Sequence, residues 1–127
     1  DSPIKLLEVG VQYGNSLMMW REFFPNAEIH GIDINPLERQ IDNVKIHMVN
    51  CDSEFELKKF ASENYDWDII IDDGDHDAIS QIKTAYNLMN RVNPNGFYVI
   101  EDITPGNYEP VLNYLAPIIQ ILKCEEV

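Results

Sequence analysis

Five short apolar runs, each followed within three residues by a glycine or a carboxylate and separated by stretches with helical character, constrain this sequence more than any other feature. The first is Ile4-Lys5-Leu6-Leu7-Glu8-Val9-Gly10. Gly14-Asn15-Ser16 then opens a stretch from Leu17 to Phe24 that stops at Pro25, which reads as strand, tight turn and helix. Glu28-Ile29-His30-Gly31-Ile32-Asp33-Ile34 gives a second strand, and Asn35-Pro36 supplies a capping residue and a first-position proline for a short helix to about Gln40. Residues 44–49 alternate as a third strand, and Ser53-Glu54-Phe55-Glu56 has the capping-box pattern of a helix running to about Glu63. Trp67-Asp68-Ile69-Ile70-Ile71-Asp72, β-branched and bounded by polar residues, is the fourth. Ile79, Ile82, Tyr86 and Met89 then recur at helical spacing until Asn93-Pro94-Asn95-Gly96 breaks the pattern. Phe97-Tyr98-Val99-Ile100 is the fifth strand; residues 109–116 are expected to be helical, and 118–127 fit helix or strand.

Parallel strands need crossover connections, and helices between strands supply them, so this alternation predicts an α/β fold with a doubly wound, mainly parallel sheet. The expected order is 3-2-1-4-5, because a reversal beside the first strand opens the crevice in which ligands bind. A chain of 127 residues with 45% apolar content has room for one compact core. No stretch is long enough to cross a bilayer and Asp1-Ser2-Pro3-Ile4 lacks the features of a signal peptide, so a soluble, cytoplasmic protein is expected. Cys51 and Cys124 stand far apart without metal-ligand spacing and are expected to be buried or free thiols. Nine Lys and Arg against 22 Asp and Glu leave a formal charge of −13, which disfavours nucleic acid and anionic membranes as partners and favours a cationic ligand or a metal.

In a parallel sheet the residues that follow each strand line one edge. Here that edge collects Glu8 and Gly10, then Asp33, Asp52, Asp72 with Asp73 and Asp75, and finally Glu101 and Asp102. So many carboxylates in one crevice repel one another unless a cation relieves them, although Asp52 and Asp77 can equally serve as helix caps. Gly10 and Gly14 stand four apart, unlike the GxGxxG that brings a pyrophosphate against a helix N-terminus, and Asp33 is positioned to accept ribose hydroxyls.

At these residues the sequence resembles the class I methyltransferases, whose fold is Rossmann-like. Glu8-Val9-Gly10-Val11-Gln12-Tyr13-Gly14-Asn15-Ser16 is similar to their first motif and Gly31-Ile32-Asp33 to their second. The resemblance implies S-adenosylmethionine as cofactor, with Gly10 and Gly14 beside its methionine part, Asp33 on the ribose and Cys51-Asp52-Ser53 beside the adenine. It implies that Glu8 holds the first loop, and it draws Tyr13, Ser16 and Asp72 into the cofactor site. Tyr13 is the one aromatic of this region expected outside the core; Met18, Met19 and Trp20 are expected to pack inside it, and His30 and His47 to be structural.

Asp72-Asp73-Gly74-Asp75-His76 together with Tyr98-Val99-Ile100-Glu101-Asp102 is similar to the DDGSH and YVIED motifs of the metal-dependent macrolide-sugar O-methyltransferases and their cephalosporin hydroxylase-like relatives. That resemblance implies Mg2+ held by Asp73, Glu101 and Asp102, His76 as the catalytic base, and a small-molecule hydroxyl acceptor, a sugar. Magnesium prefers oxygen ligands, and a histidine can take a proton near neutral pH, so the residue types suit the chemistry. Asp75 departs from the family's serine; an added charge there is expected either to raise the pKa of His76 or to furnish another ligand. Such relatives carry further strands and acceptor-covering segments, so the chain is expected to be a core trimmed after strand five, an excerpt, or a small enzyme that associates with itself or with a neighbouring domain. A metal-independent methyltransferase, a catalytically silent cofactor- or partner-binding domain and an NAD enzyme are the competing readings.

Overall fold

The computed structural model describes residues 3–35 and 40–116. Five strands, β1 (Lys5–Val9), β2 (Glu28–Asp33), β3 (Val44–Met48), β4 (Trp67–Asp72) and β5 (Val92–Ile100), form one all-parallel sheet in the order β3-β2-β1-β4-β5. The expected fold and strand order are those observed. Helices α1 (Asn15–Phe23), α2 (Glu54–Glu63), α3 (Ala78–Leu88) and α4 (Pro105–Leu115) make the connections and the cover. The short helix expected after Asn35 and the ambiguous segment 118–127 with Cys124 lie outside the described residues.

The central strand β1 is covered on both faces, which explains its unbroken run of buried residues from Leu6 to Val9. Leu6, Ile29 and Ile71 pack with Leu17 of α1 on one face. Leu7, Val9, Ile32 and Ile70 pack with Leu57 and Phe60 of α2 on the other, around the fully buried Trp67. Among the described residues no helix is long and apolar enough to cross a membrane.

Several local expectations change. In α3 the buried face consists of Ala78, Gln81, Thr84, Ala85 and Leu88, whereas Ile79 is 70% exposed and Tyr86 is also exposed. Only Ile82 and Met89 of the expected stripe pack against the core, on the side that meets α4. Met18 and Met19 are likewise exposed rather than in the core. Asn93-Pro94-Asn95-Gly96 does not end a helix ahead of a strand: α3 gives way to a 3-10 turn at Met89–Arg91, and β5 begins at Val92. The four residues form a bulge inside β5, since Trp67 pairs with Val92 but Ile69 pairs with Phe97. Asn95 takes the left-handed conformation there, and Asn93 donates to the Asp66 carbonyl and the Asp68 carboxylate. An edge strand tolerates the missing N–H of Pro94.

Helix α4 begins at Pro105, four residues before the expected start, with proline at its first position. The α2 cap is half the expected box. Ser53 Oγ accepts from Glu56 N at 3.3 Å, but Glu56 reaches back to Asn50 N instead of Ser53 N. His30 and His47 are structural, as expected: their rings stack, His30 Nδ1 meets His47 Nε2 at 2.8 Å, and Glu28 holds the opposite nitrogen of His30 at 2.8 Å.

Candidate functional site

The C-terminal ends of β1, β2 and β4, the loops after them, the segment after β3 and the start of α3 line a cavity of about 280 Å³. Its floor is the turn after β1. Gly10 adopts φ +87°, and a Cβ there would lie 2.5 Å from the Asp73 carbonyl oxygen and 2.6 Å from Gly74 Cα. Only glycine permits this approach of the first loop to the fourth.

Asp33 closes the first loop from the end of β2. Its Oδ2 accepts from Val11 N at 2.8 Å and Gln12 N at 3.1 Å, and its Oδ1 accepts from Asn35 N at 3.0 Å. Burial works to raise the Asp33 pKa, but the backbone N–H groups of Asn35, Gln12, Val11 and Ile34 outweigh it and hold the carboxyl below its usual range. An ionised acceptor therefore lines the cavity.

Asp72 lies deeper. It is 3% exposed; Oδ1 accepts from Gly74 N at 3.2 Å, and the buried Oδ2 has no hydrogen-bond partner. Burial, reinforced by Asp73 and Asp75, raises its pKa to about 6, against the Gly74 N–H and His76, which lower it. The buried Tyr98 hydroxyl likewise has no hydrogen-bond partner. Cys51, also on the wall, is a free thiol pushed up to about 12 by burial and then by the Asp72, Asp52 and Asp33 charges, so it stays neutral and is not a nucleophile.

Gly10, Asp33, Asp52 and Asp72 line the cavity; Glu8, Tyr13, Gly14, Ser16 and Ser53 do not. Tyr13 is 79% exposed. Gly14, at φ +83°, is the N-cap of α1, Ser16 lies in that helix's first turn, and Ser53 caps α2. Thr84 and Ser80, one turn apart on α3, and Asn50 are wall residues that no sequence motif singled out. Their i, i+4 spacing was visible, but the expected apolar stripe pointed to another face of the helix.

Glu8 is buried behind the wall, where it accepts from Trp20 Nε1 at 2.9 Å. Burial raises its pKa to about 7 despite that bond, with Asp73 and Glu101 adding to the rise. Between the ordinary value of 4.5 and about 7 the folded state holds a proton that the unfolded chain has released. Stability from this group is thus greatest below 4.5, falls as pH rises through that window and levels off above it, by on the order of 3 kcal/mol. Glu8→Gln keeps an acceptor for Trp20 and removes the charge. Thermal melts at pH 5 and pH 8.5 should show the variant gaining on the parent at the higher pH; an equal pH dependence in both would refute the assignment.

Beside the cavity, ligand atoms of Asp73, His76 and Asp102 all lie within 4.8 Å of one another. The loop after β4 carries the first two and the end of β5 the third, and Glu101 N donates to the Asp72 carbonyl at 2.9 Å, tying the loops together. Asp102 holds φ +57°, a left-handed conformation that aspartate tolerates better than most residues. Glu101, exposed at the rim, is outside that trio, yet it feels it. Burial and the Asp73 and Asp102 charges raise its carboxyl pKa, with His76 opposing. Asp75 is not in the trio. Its Oδ1 accepts from Asp77 N at 3.0 Å and its Oδ2 lies 3.5 Å from Ser80 Oγ, while Asp77 caps α3 through Ile79 N.

A profile of the methyltransferase-domain family matches residues 7–103, the stretch that carries all of these loops. The chain belongs to that family. Among relatives, this methyltransferase domain is 37% identical over 110 residues to the 8-demethyl-8-(2-methoxy-alpha-L-rhamnosyl)-tetracenomycin-C 3'-O-methyltransferase of Streptomyces olivaceus, covering 80% of this chain and 28% of the relative. It is 36% identical over 114 residues to the mycinamicin VI 2''-O-methyltransferase of Micromonospora griseorubida, covering 81% and 28%. It is also similar to the crystal structure of the MycE methyltransferase of mycinamycin biosynthesis in complex with Mg and SAH, with a TM-score of 0.73, 32% identity and coverage of 80% of this chain and 28% of that one. The chain therefore spans a little over a quarter of the length of these relatives.

Proposed function

We propose that this domain binds S-adenosylmethionine in the cavity and, with Mg2+ beside it, methylates a hydroxyl of a small molecule, a sugar. The observation that carries the reading is the placement of two carboxylates and an imidazole, Asp73, Asp102 and His76, next to a cavity lined by Asp33, Asp52 and Asp72 over the Gly10 turn. The cofactor brings a sulfonium and an ammonium but no phosphate, which suits a wall of carboxylates. Asp33 accepts the ribose hydroxyls, and the turn at Gly10 lets backbone approach the methionine part. The relatives named as sugar O-methyltransferases, and the similar structure that contains Mg and SAH, support the same cofactor, metal and acceptor class.

Magnesium favours oxygen ligands, so Asp73 and Asp102, with Glu101 at the rim, are the residues to hold it. An ion held by these residues would make the acceptor hydroxyl more acidic. That leaves His76 as the base, its ring nitrogen close enough to the carboxylates to reach the same hydroxyl and accept its proton. The carboxylates orient the acceptor, and orientation towards the methyl supplies much of the rate. A cytoplasmic setting goes with this cofactor.

Calorimetric titration with S-adenosylhomocysteine, followed by transfer of labelled methyl to a deoxysugar-bearing acceptor before and after exhaustive chelation, tests the proposal. Binding should persist without metal while transfer is lost. Transfer that survives chelation would make this a metal-independent enzyme, and absence of nucleoside binding would remove the cofactor assignment.

A further inference from the structure

His47 spends one ring nitrogen on His30, and the state of its other nitrogen is set by a carboxylate two groups away. Glu28 Oε1 lies 2.8 Å from His30 Nε2, and His30 Nδ1 lies 2.8 Å from His47 Nε2. Burial lowers the pKa of His30, although Glu28 works to raise it; burial, then the His30 and Lys45 charges, lower that of His47. Both rings are therefore neutral near pH 7. Glu28 is held below its usual range, chiefly by the hydrogen bond from His30, so it is ionised and can only accept. His30 Nε2 must then carry the proton, which makes His30 Nδ1 an acceptor and His47 Nε2 the donor to it. That assignment leaves His47 Nδ1 as a bare lone pair. It has no donor among the described residues, and it is accessible rather than sealed in the core.

His47 lines a second cavity, of about 330 Å³, between the end of the edge strand β3 and helix α2. Phe60 forms one wall and meets the His47 ring edge to face, with centroids 5.2 Å apart. Phe55 and Met48 add exposed apolar surface to the lining. Of the two carboxylates there, Glu56 accepts from Asn50 N at 3.3 Å, whereas Glu63 has no partner among the described residues. Lys59 is the single cation of the lining and is outnumbered by them. An anion drawn to Lys59 would meet a lone pair and two negative charges. A cation with N–H donors finds those same groups as partners, and a flat one can lay its face on the aromatic rings. A metal ion is poorly served, because the only described residues that bring three ligand atoms together are Asp73, His76 and Asp102.

We propose that this cavity is a binding site for a planar aromatic cation with N–H donors, of the aryl amidinium class, which donates to His47 Nδ1, is balanced by Glu63 and packs on Phe55 and Phe60. The site is distinct from the cofactor cavity and shares only Val49 with it. Glu28 and His30 act here as positioning residues, since they fix which nitrogen of His47 carries the proton.

The test is an NMR titration of the whole 15N-labelled chain with benzamidine and, separately, with benzoate, which has the same shape and the opposite charge. Benzamidine should bind at least about tenfold more tightly than benzoate and should move the His47 Nδ1 resonance from the unprotonated position towards the protonated one. His47→Phe keeps a ring against Phe60 and removes the acceptor, and should cost about tenfold in benzamidine affinity. Glu63→Gln, at an exposed position, should cost about threefold and tests the site even if His47→Phe does not fold. Affinity for S-adenosylhomocysteine should be the same in Glu63→Gln as in the parent. No binding of benzamidine, equal binding of benzoate, a protonated Nδ1 in the free protein, or parental benzamidine affinity in Glu63→Gln would each overturn the site. Shifts confined to the cofactor cavity would overturn it as well.

Discussion

Gly10→Ala should lower the melting temperature by roughly 10 °C or more and weaken S-adenosylhomocysteine binding by at least about a hundredfold. Two independent penalties act at this residue. At φ +87° a side chain is strained, which costs about 1–2 kcal/mol. The new Cβ would also lie 2.5 Å from the Asp73 carbonyl oxygen and 2.8 Å from the Asp73 carbonyl carbon, and backbone cannot rotate away as a side chain can. Overpacking of this kind costs about 1–3 kcal/mol more. Relief requires the first loop to part from the fourth, which stretches the bond from Asp73 N to the Val9 carbonyl, now 2.9 Å, and shifts both the cavity and the Asp73, His76 and Asp102 cluster. Gly106→Ala is the control: nothing lies within 4 Å of the Cβ it would add inside α4, so its affinity should match the parent and its melt should match or slightly exceed it. A Gly10→Ala protein that melts and binds like that control would mean that the two loops do not meet as described.

The second large effect is expected at Asp102→Asn. Asparagine tolerates the left-handed conformation that Asp102 holds at φ +57° and has nearly the same shape, so the substitution removes a charge with little strain. Mn2+ affinity, followed by electron paramagnetic resonance as a stand-in for Mg2+, should fall by about a hundredfold, and methyl transfer with it. Affinity for S-adenosylhomocysteine should stay within about twofold, because Asp102 does not line the cavity. Equal loss of metal and nucleoside binding would show a residue that holds the fold and not an ion.

What could be read from the residues follows from which interactions are local. Strand and helix identity rests on periodicity within a few residues, and a parallel sheet follows once strands and helices alternate. That sheet sends Asp33, Asp72, Asp73 and Asp102 to one edge without any need for coordinates. The spaced glycines, too, announced a tight turn, although not what lay above it.

The structure alone decided which atoms meet, because those contacts join residues far apart in sequence. Ser80 reaches Asp52 across 28 positions and Trp20 reaches Glu8 across 12. Helix α3 buries Ala78, Gln81, Thr84, Ala85 and Leu88, and no periodicity within the helix encodes the shape of its neighbours. For the same reason Asp75 read as a possible metal ligand in the sequence, yet its carboxylate meets Asp77 N and Ser80 Oγ. A loop carboxylate's role depends on which donors surround it, and packing supplies those.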